Sequence, residues 1–458
     1  MRFRLRPFNV WLEPLLAFIV LGAIVRAFFY FREFEHFPQP FFYEPYDVWM
    51  DWFNTAYWAY NKGAYDAWGT IYPPLSFVFL RIFTLGKCYA DASGYAAREC
   101  DWVGLATLFS FFFLNIFLLW RTFRKIHRPS APWRTLALGL GMPTLYGLER
   151  GNLIVVTFTF LILGFGPLLK SARLRWIAVG MAINFKIYLV AGLFPQLLRR
   201  RWMWFEGALL ATFVIYALTY GLLGDGTPLQ LYKNVTDVSE LYQAATFLDA
   251  WYAASYKPLL SLLTGQYQVV AGLGGSRIVD LLIILLTAIQ YTVMGTIIAA
   301  AVAAWLRPEV VPMHRLTFLG LAFAMTVSEP GGYTMNFLIF FVFLEAWRGF
   351  GRIWSICVSY VLLMPLDIIL DRVLPTIQES YLAGHTTFFT YYITVGPFVR
   401  PLLLQSTMVA LAFLTIRDVW RDVQLQGWKT RWRYRGDVPL LPAVAQPVHP
   451  QAPQSDHD

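Results

Sequence analysis

The chain has 458 residues, of which 57% are hydrophobic, 18% aromatic and only 14% charged; its mean hydropathy is +0.50. That is too little polar surface for a soluble protein of this length, so the sequence reads as an integral membrane protein. The net charge of +9 does not mark a nucleic-acid binder, because the basic residues sit in short clusters between apolar runs, as cytoplasmic loops do under the positive-inside rule.

The apolar runs approach or exceed the length of a spanning helix, and no series of short alternating strands is visible, so an all-α polytopic bundle is expected rather than a barrel. The first run, 13–31, follows Arg2, Arg4 and Arg6 and lacks a small-residue cleavage site. It reads as a retained anchor with its N-terminus in the cytoplasm. A first extracytoplasmic region then covers 32–100. Spans are expected near 101–120, 134–149 and 151–169, with Arg121, Arg124, Lys125 and Arg128 in one cytoplasmic loop and Lys170, Arg173 and Arg175 in another.

Residues 174–200 begin and end at basic clusters, which predicts two half-helices bent near Lys186. Further spans are expected near 202–223, 278–306, 314–328, 334–347, 353–370 and 392–416, giving about 11–13 membrane helices in all. A second large outside region covers 224–277 and a third 371–391. The segment 71–85 is apolar enough to cross, but crossing would put Arg121–Arg128 outside. It is therefore expected to lie in the outer interface, entered through Pro73-Pro74. Cys88 and Cys100 fall in this same loop, where a disulfide would add about 3 kcal/mol; two separate thiols are the alternative. The outside regions are rich in Tyr, Trp and Phe, which anchor at membrane interfaces and also stack on sugar rings. The domain reads as a single unit over 1–435, followed by a Pro- and Gln-rich cytoplasmic tail, 436–458, of disordered composition.

Within the first outside region Asp47 and Asp51 are four apart and share one face if that piece is helical. A carboxylate among aromatics at an interface makes a good general base, because partial desolvation raises its proton affinity. Asp51, the aromatic stretch after it, Gly63, Tyr65 and Tyr72-Pro73-Pro74-Leu75 together resemble the first loop of the GT-C membrane glycosyltransferases. Within that superfamily they resemble the GT87 group of polyprenyl-phosphate-mannose-dependent mannosyltransferases. Gly151-Asn152 and Lys186, the latter within Ala-Ile-Asn-Phe-Lys-Ile-Tyr, fit the same group. At Ser328-Glu329-Pro330 the chain departs from it, since a glutamate interrupts the Ser-Pro element and no histidine follows.

The resemblance implies an inverting hexosyltransferase of the plasma membrane of a bacterium. It would move mannose or another hexose from a polyprenyl-monophosphate donor to a glycolipid or glycan at the extracytoplasmic face. Asp51 would be the base, with Asp47 as its substitute. Lys186, Arg150 and Arg26 would meet the donor phosphate, which leaves as an anion and needs cationic partners. Tyr72, Asn152, Lys257, Glu329 and Tyr333 would contact sugar or acceptor. No metal or other cofactor is implied, and the six histidines lack ligand spacing. The expected partners are membrane lipids, the lipid-linked donor and the acceptor. A lipid-linked-sugar flippase and a polysaccharide polymerase remain the rival readings; a flippase would show internal repeats, and none is visible.

Overall fold

The computed structural model describes residues 6–41, 47–90, 93–241, 252–256, 259–260, 275–327, 331–380 and 386–427. Helices α1 (Arg6–Phe34), α2 (Met50–Tyr60), α3 (Pro74–Phe83) and α4 (Gly94–Cys100) open the chain. Then come α5 (Trp102–Ile126), α6 (Ala131–Gly139), α7 (Met142–Glu149), α8 (Ile154–Phe165) and α9 (Ala172–Phe185). Past Lys186 the backbone winds as a 3₁₀ segment, Ile187–Leu193, into α10 (Phe194–Leu198), α11 (Trp202–Leu223) and α12 (Pro228–Leu241). The last part holds α13 (Ser276–Leu306), α14 (Met313–Val327), α15 (Met335–Val342), α16 (Phe350–Leu362) and α17 (Gly396–Gln426).

Five helices among the described residues, α1, α5, α11, α13 and α17, are long and apolar enough to cross a membrane, and shorter apolar helices such as α8, α14 and α16 pack between them. Phe213, Leu218, Leu281 and Ile284 stand exposed on the long helices, as lipid-facing side chains do. The 11–13 spans expected from sequence thus resolve into a few full-length helices and several short ones. Residues 174–200 form the bent pair expected, with the break at Lys186. The expected span 134–149 is instead two helices: α6 stops at Gly139, and Pro143 sits in the first turn of α7, where its missing N–H costs nothing.

A second correction concerns strands. Residues 369–379 and 386–394, assigned to span ends and an outside loop, pair as an antiparallel hairpin, β1 (Ile369–Glu379) with β2 (Thr386–Thr394). Their Val, Ile, Phe, Tyr and Thr content suits a pleated half-buried surface. The hairpin is tied to the end of α1. Gln39 exchanges two hydrogen bonds with the Tyr392 backbone, at 3.0 and 3.1 Å. Thr387 Oγ1 donates to the Phe34 carbonyl at 2.8 Å.

The region 47–90 is packed rather than splayed on a surface. Trp52 is completely buried against Phe79, and Trp58 stacks on Trp68. α12 closes over it: the buried Asn234 side chain donates to the Tyr65 and Thr70 carbonyls at 3.0 and 2.9 Å. The sequon Asn234-Val-Thr236 therefore spends its amide inside the fold. Asp101, also buried, gathers Tyr89 Oη at 2.7 Å, Gly104 N at 2.9 Å and Leu85 N at 3.1 Å, joining the end of α3 to the start of α5. Cys88 and Cys100 are bonded across the same corner. Replacing both by serine is expected to lower unfolding stability by about 3 kcal/mol, read as the denaturant midpoint in detergent; an unchanged midpoint would show the bridge contributes nothing.

At the end of the bundle away from Asp51, buried ion pairs lock the helices in register. Glu13 on α1 lies 2.8 Å from Arg134 on α6. Glu345 takes both arms of Arg315, at 2.6 and 2.8 Å, and Arg352 at 2.9 Å; Arg315 also reaches Asp418 at 3.0 Å. Each charge of these two networks is paired, as burial requires.

Candidate functional site

Trp49, just before α2, adopts φ 62 and ψ 9, the left-handed region that a bulky residue enters only under constraint. The constraint is the α7–α8 junction, because Trp49 N donates to the Glu149 carbonyl (2.8 Å) and Asp51 N to the Arg150 carbonyl (3.0 Å). So close an approach requires glycine at 151. Its φ is +65, and a Cβ there would lie 2.8 Å from both the Trp49 Cα and its carbonyl oxygen. Gly151→Ala is expected to cost about 1–3 kcal/mol and to displace Asp51. Thermal unfolding and transfer rate measured side by side check this: both should fall, and an unaffected rate would separate the junction from the site.

The backbone lock delivers three side chains to one place. Asp51 sits in the first turn of α2, where the helix dipole favours a carboxylate. Its Oδ1 accepts from Arg150 Nη2 at 2.8 Å and its Oδ2 from Asn152 Nδ2 at 2.6 Å. About a fifth of the Asp51 side chain stays exposed, so the carboxylate is oriented on one side and accessible on the other. Arg150 also bonds Asp47. Burial, above all, pushes the Asp47 carboxyl up from its ordinary value; Arg150 pulls it down, and the neighbouring Asp51 charge pushes it up again.

Asn152 carries the cluster onward. It is buried, its Oδ1 accepts from Ile154 N at 3.0 Å, and its Nδ2 lies 3.3 Å from the Tyr72 hydroxyl. Tyr72 in turn accepts from Lys186 Nζ at 3.3 Å. The Lys186 ammonium stands 4.4 Å from the Tyr72 ring centroid and 5.9 Å from that of Tyr333, a cation between two aromatic faces. Among the described residues no carboxylate lies within salt-bridge distance of it. Five segments distant in sequence thus bring Asp47, Asp51, Tyr72, Arg150, Asn152, Lys186 and Tyr333 together.

Other expected site residues fall elsewhere. Arg26 is exposed on α1 and takes no part in the cluster; its long side chain on a lipid-facing helix suits snorkelling instead. Lys257 and Glu329 lie outside the described residues.

Several residues that sequence reasoning missed do belong here. The Tyr333 ring stacks on Tyr146, whose edge meets Tyr252, and Arg400 lies 5.2 Å over the Tyr252 ring. Asp367 holds Arg400 as an ion pair and accepts from Gly396 N at 2.8 Å. Gly332 lets Tyr252 in: its N donates to the Tyr252 carbonyl at 2.8 Å, and a Cβ there would overlap the ring. Two buried hydroxyls, Tyr188 Oη and Tyr252 Oη, have no hydrogen-bond partner among the described residues. Both hydroxyls keep unused hydrogen-bonding capacity beside the cluster. The signal for Tyr188 was its place as the last residue of the Ala-Ile-Asn-Phe-Lys-Ile-Tyr motif, two residues after Lys186.

The site therefore has a basic, acceptor-only end at Asp51 and a cationic, hydroxyl-bearing end at Lys186, joined through Asn152 and Tyr72. Among the described residues no group of three His, Cys, Asp or Glu side chains is placed to hold a metal ion. No family model, curated protein or solved structure matches the chain.

Proposed function

We propose that the protein is an inverting glycosyltransferase that uses a polyprenyl-monophosphate sugar, mannose or another hexose, at the extracytoplasmic face of a membrane. The observation that carries this reading is the approach of Asp51 and Lys186 to a common bridge of Asn152 and Tyr72. A base and a phosphate-binding cation on either side of one space are what such a displacement needs.

In the proposed reaction an acceptor hydroxyl enters on the Asp51 side and gives its proton to the carboxylate as its oxygen attacks the anomeric carbon. The bond from that carbon to the donor's phosphate oxygen breaks on the opposite side, so the configuration inverts. The polyprenyl phosphate leaves as an anion, and Lys186 with the Tyr72 and Tyr188 hydroxyls stabilises the charge it gains. Arg150 and Asn152 hold the carboxylate in place. The aromatic group Tyr146, Tyr252 and Tyr333 offers ring faces for the sugar.

The test is transfer by purified protein in detergent with EDTA. Polyprenyl-phosphate-mannose and a lipid extract of the host are supplied, and products are read by mass spectrometry. Product formation by wild type but not by Asp51→Asn supports the reaction class and metal independence together. Scrambling of labelled lipid-linked sugar in liposomes without product would favour a flippase, and product only from a diphosphate-linked oligosaccharide would favour a polymerase.

A further inference from the structure

Tyr65 stands out in the sequence, yet the reaction proposed above gives it no part. It lies in the loop that carries Tyr72. Residues 69–72 of that loop are neither helix nor strand, so no ladder holds them and each backbone group needs its own partner. Tyr72 N donates to Thr70 Oγ1 at 3.2 Å, and Tyr65 Oη donates to the Tyr72 carbonyl at 2.7 Å. Thr70 N donates to the Ala64 carbonyl at 3.0 Å, and the Tyr72 ring stacks on Trp68.

The loop is gripped in turn by α12. Thr227 and Gln230 cap that helix reciprocally: Thr227 N donates to Gln230 Oε1 at 2.9 Å and Gln230 N to Thr227 Oγ1 at 3.2 Å. Gln230, Leu231 and Asn234 then share one face, being three and four residues apart. Gln230 Nε2 donates to Asp66 at 3.1 Å, Leu231 is buried, and Asn234 donates to the Tyr65 and Thr70 carbonyls. Behind the buried Tyr65 ring stands Gly226, where a Cβ would overlap the ring. The Gly226 carbonyl accepts from Tyr216 Oη on α11 at 2.6 Å. Close contacts thus run from α11 and α12 through Tyr65 to the Tyr72 backbone.

On the site side, the Tyr72 hydroxyl meets Asn152 and Lys186 at 3.3 Å each, at the loose end of hydrogen bonding. The 2.7 Å bond to its carbonyl is the tighter restraint. We infer that Tyr65 and Asn234 are positioning residues for the transfer reaction: through the Tyr72 backbone they set where the Tyr72 hydroxyl stands between Asn152 and Lys186. The inference rests on the proposed reaction, in which that hydroxyl meets the leaving phosphate, and it makes α12 the brace of the phosphate-binding end.

A double-substitution cycle in the transfer assay tests this. Tyr65→Phe keeps the buried ring and removes the hydrogen bond to Tyr72. It is expected to lower kcat about tenfold to a hundredfold, as small misplacements of a reacting group do, with KM changed less than about twofold. In a Tyr72→Phe background the hydroxyl to be positioned is gone, and Tyr65→Phe should then lower kcat less than about twofold. Asn234→Ala should follow the same pattern, and it judges the inference if Tyr65→Phe fails to fold. A merely structural residue would lower kcat equally in both backgrounds. That result would overturn the inference, as would an unchanged kcat for both variants when Tyr72 is present. Absence of transfer by wild type would instead sink the proposed reaction, and fluorotyrosine placed at Tyr72 would decide the positioning role alone. Its fluorine NMR resonance should shift or split in Tyr65→Phe and Asn234→Ala protein; a resonance that neither variant moves would overturn the inference.

Discussion

Asp51→Asn protein is expected to transfer sugar about 10²–10⁴ times more slowly than wild type, the range for loss of a general base, while unfolding at nearly the same temperature. The substitution is isosteric, and the backbone lock between Trp49, Asp51 and the α7–α8 junction does not use the carboxylate. Arg150 keeps its second partner in Asp47, so no cation is stranded. The asparagine can still accept from one neighbour, but it cannot take a proton. A rate loss without a stability loss therefore points to chemistry. Asp47→Asn is the paired measurement. If Asp51→Asn stays active and Asp47→Asn does not, the base is Asp47, whose proton affinity burial has already raised. If both stay active, proton abstraction lies elsewhere and the proposed mechanism fails.

Much of this site was legible because its members carry local signals. A Gly-Asn pair at a helix junction, a Pro-Pro entry to a short helix, and a lysine at a bend between two half-helices each show in a few residues. The structure places all three side by side. What stayed hidden depends on partners far along the chain. Nothing near Arg400 announces that Asp367 will hold it beside Tyr252, and nothing near Glu345 announces Arg315 and Arg352. The hairpin was misread for a different reason. Ile368, Ile369 and Leu370 continue the apolar run of α16, and hydropathy does not distinguish the end of a helix from the start of a strand. The β-branched and aromatic alternation of 386–394 was the signal available. In 134–149 the Gly141-Met142-Pro143 step marked a helix restart that an apolar count overrides.

Lys186→Met is the second decisive substitution, and it separates a functional buried charge from a structural one. Removing one member of the Glu345 network leaves an uncompensated buried charge and should cost about 3–5 kcal/mol. Lys186 differs: it makes a 3.3 Å hydrogen bond to Tyr72 and faces two aromatic rings, with no carboxylate at salt-bridge distance among the described residues. An ammonium so placed costs desolvation that the fold alone does not return. Methionine, of similar length and apolar, removes that cost, so Lys186→Met protein is expected to melt no lower than wild type. Transfer should nevertheless fall about 10²–10³-fold, as when one preorganised donor to a developing negative charge is removed. The loss should appear mainly in kcat, because the phosphate gains its charge as it leaves. Lys186→Arg keeps the charge but not the fit between Tyr72 and Tyr333, and should recover only part of the rate. A melting temperature that falls in step with activity would make Lys186 a structural residue, and would leave the cation for the leaving phosphate to be sought at Arg400, across the tyrosine stack.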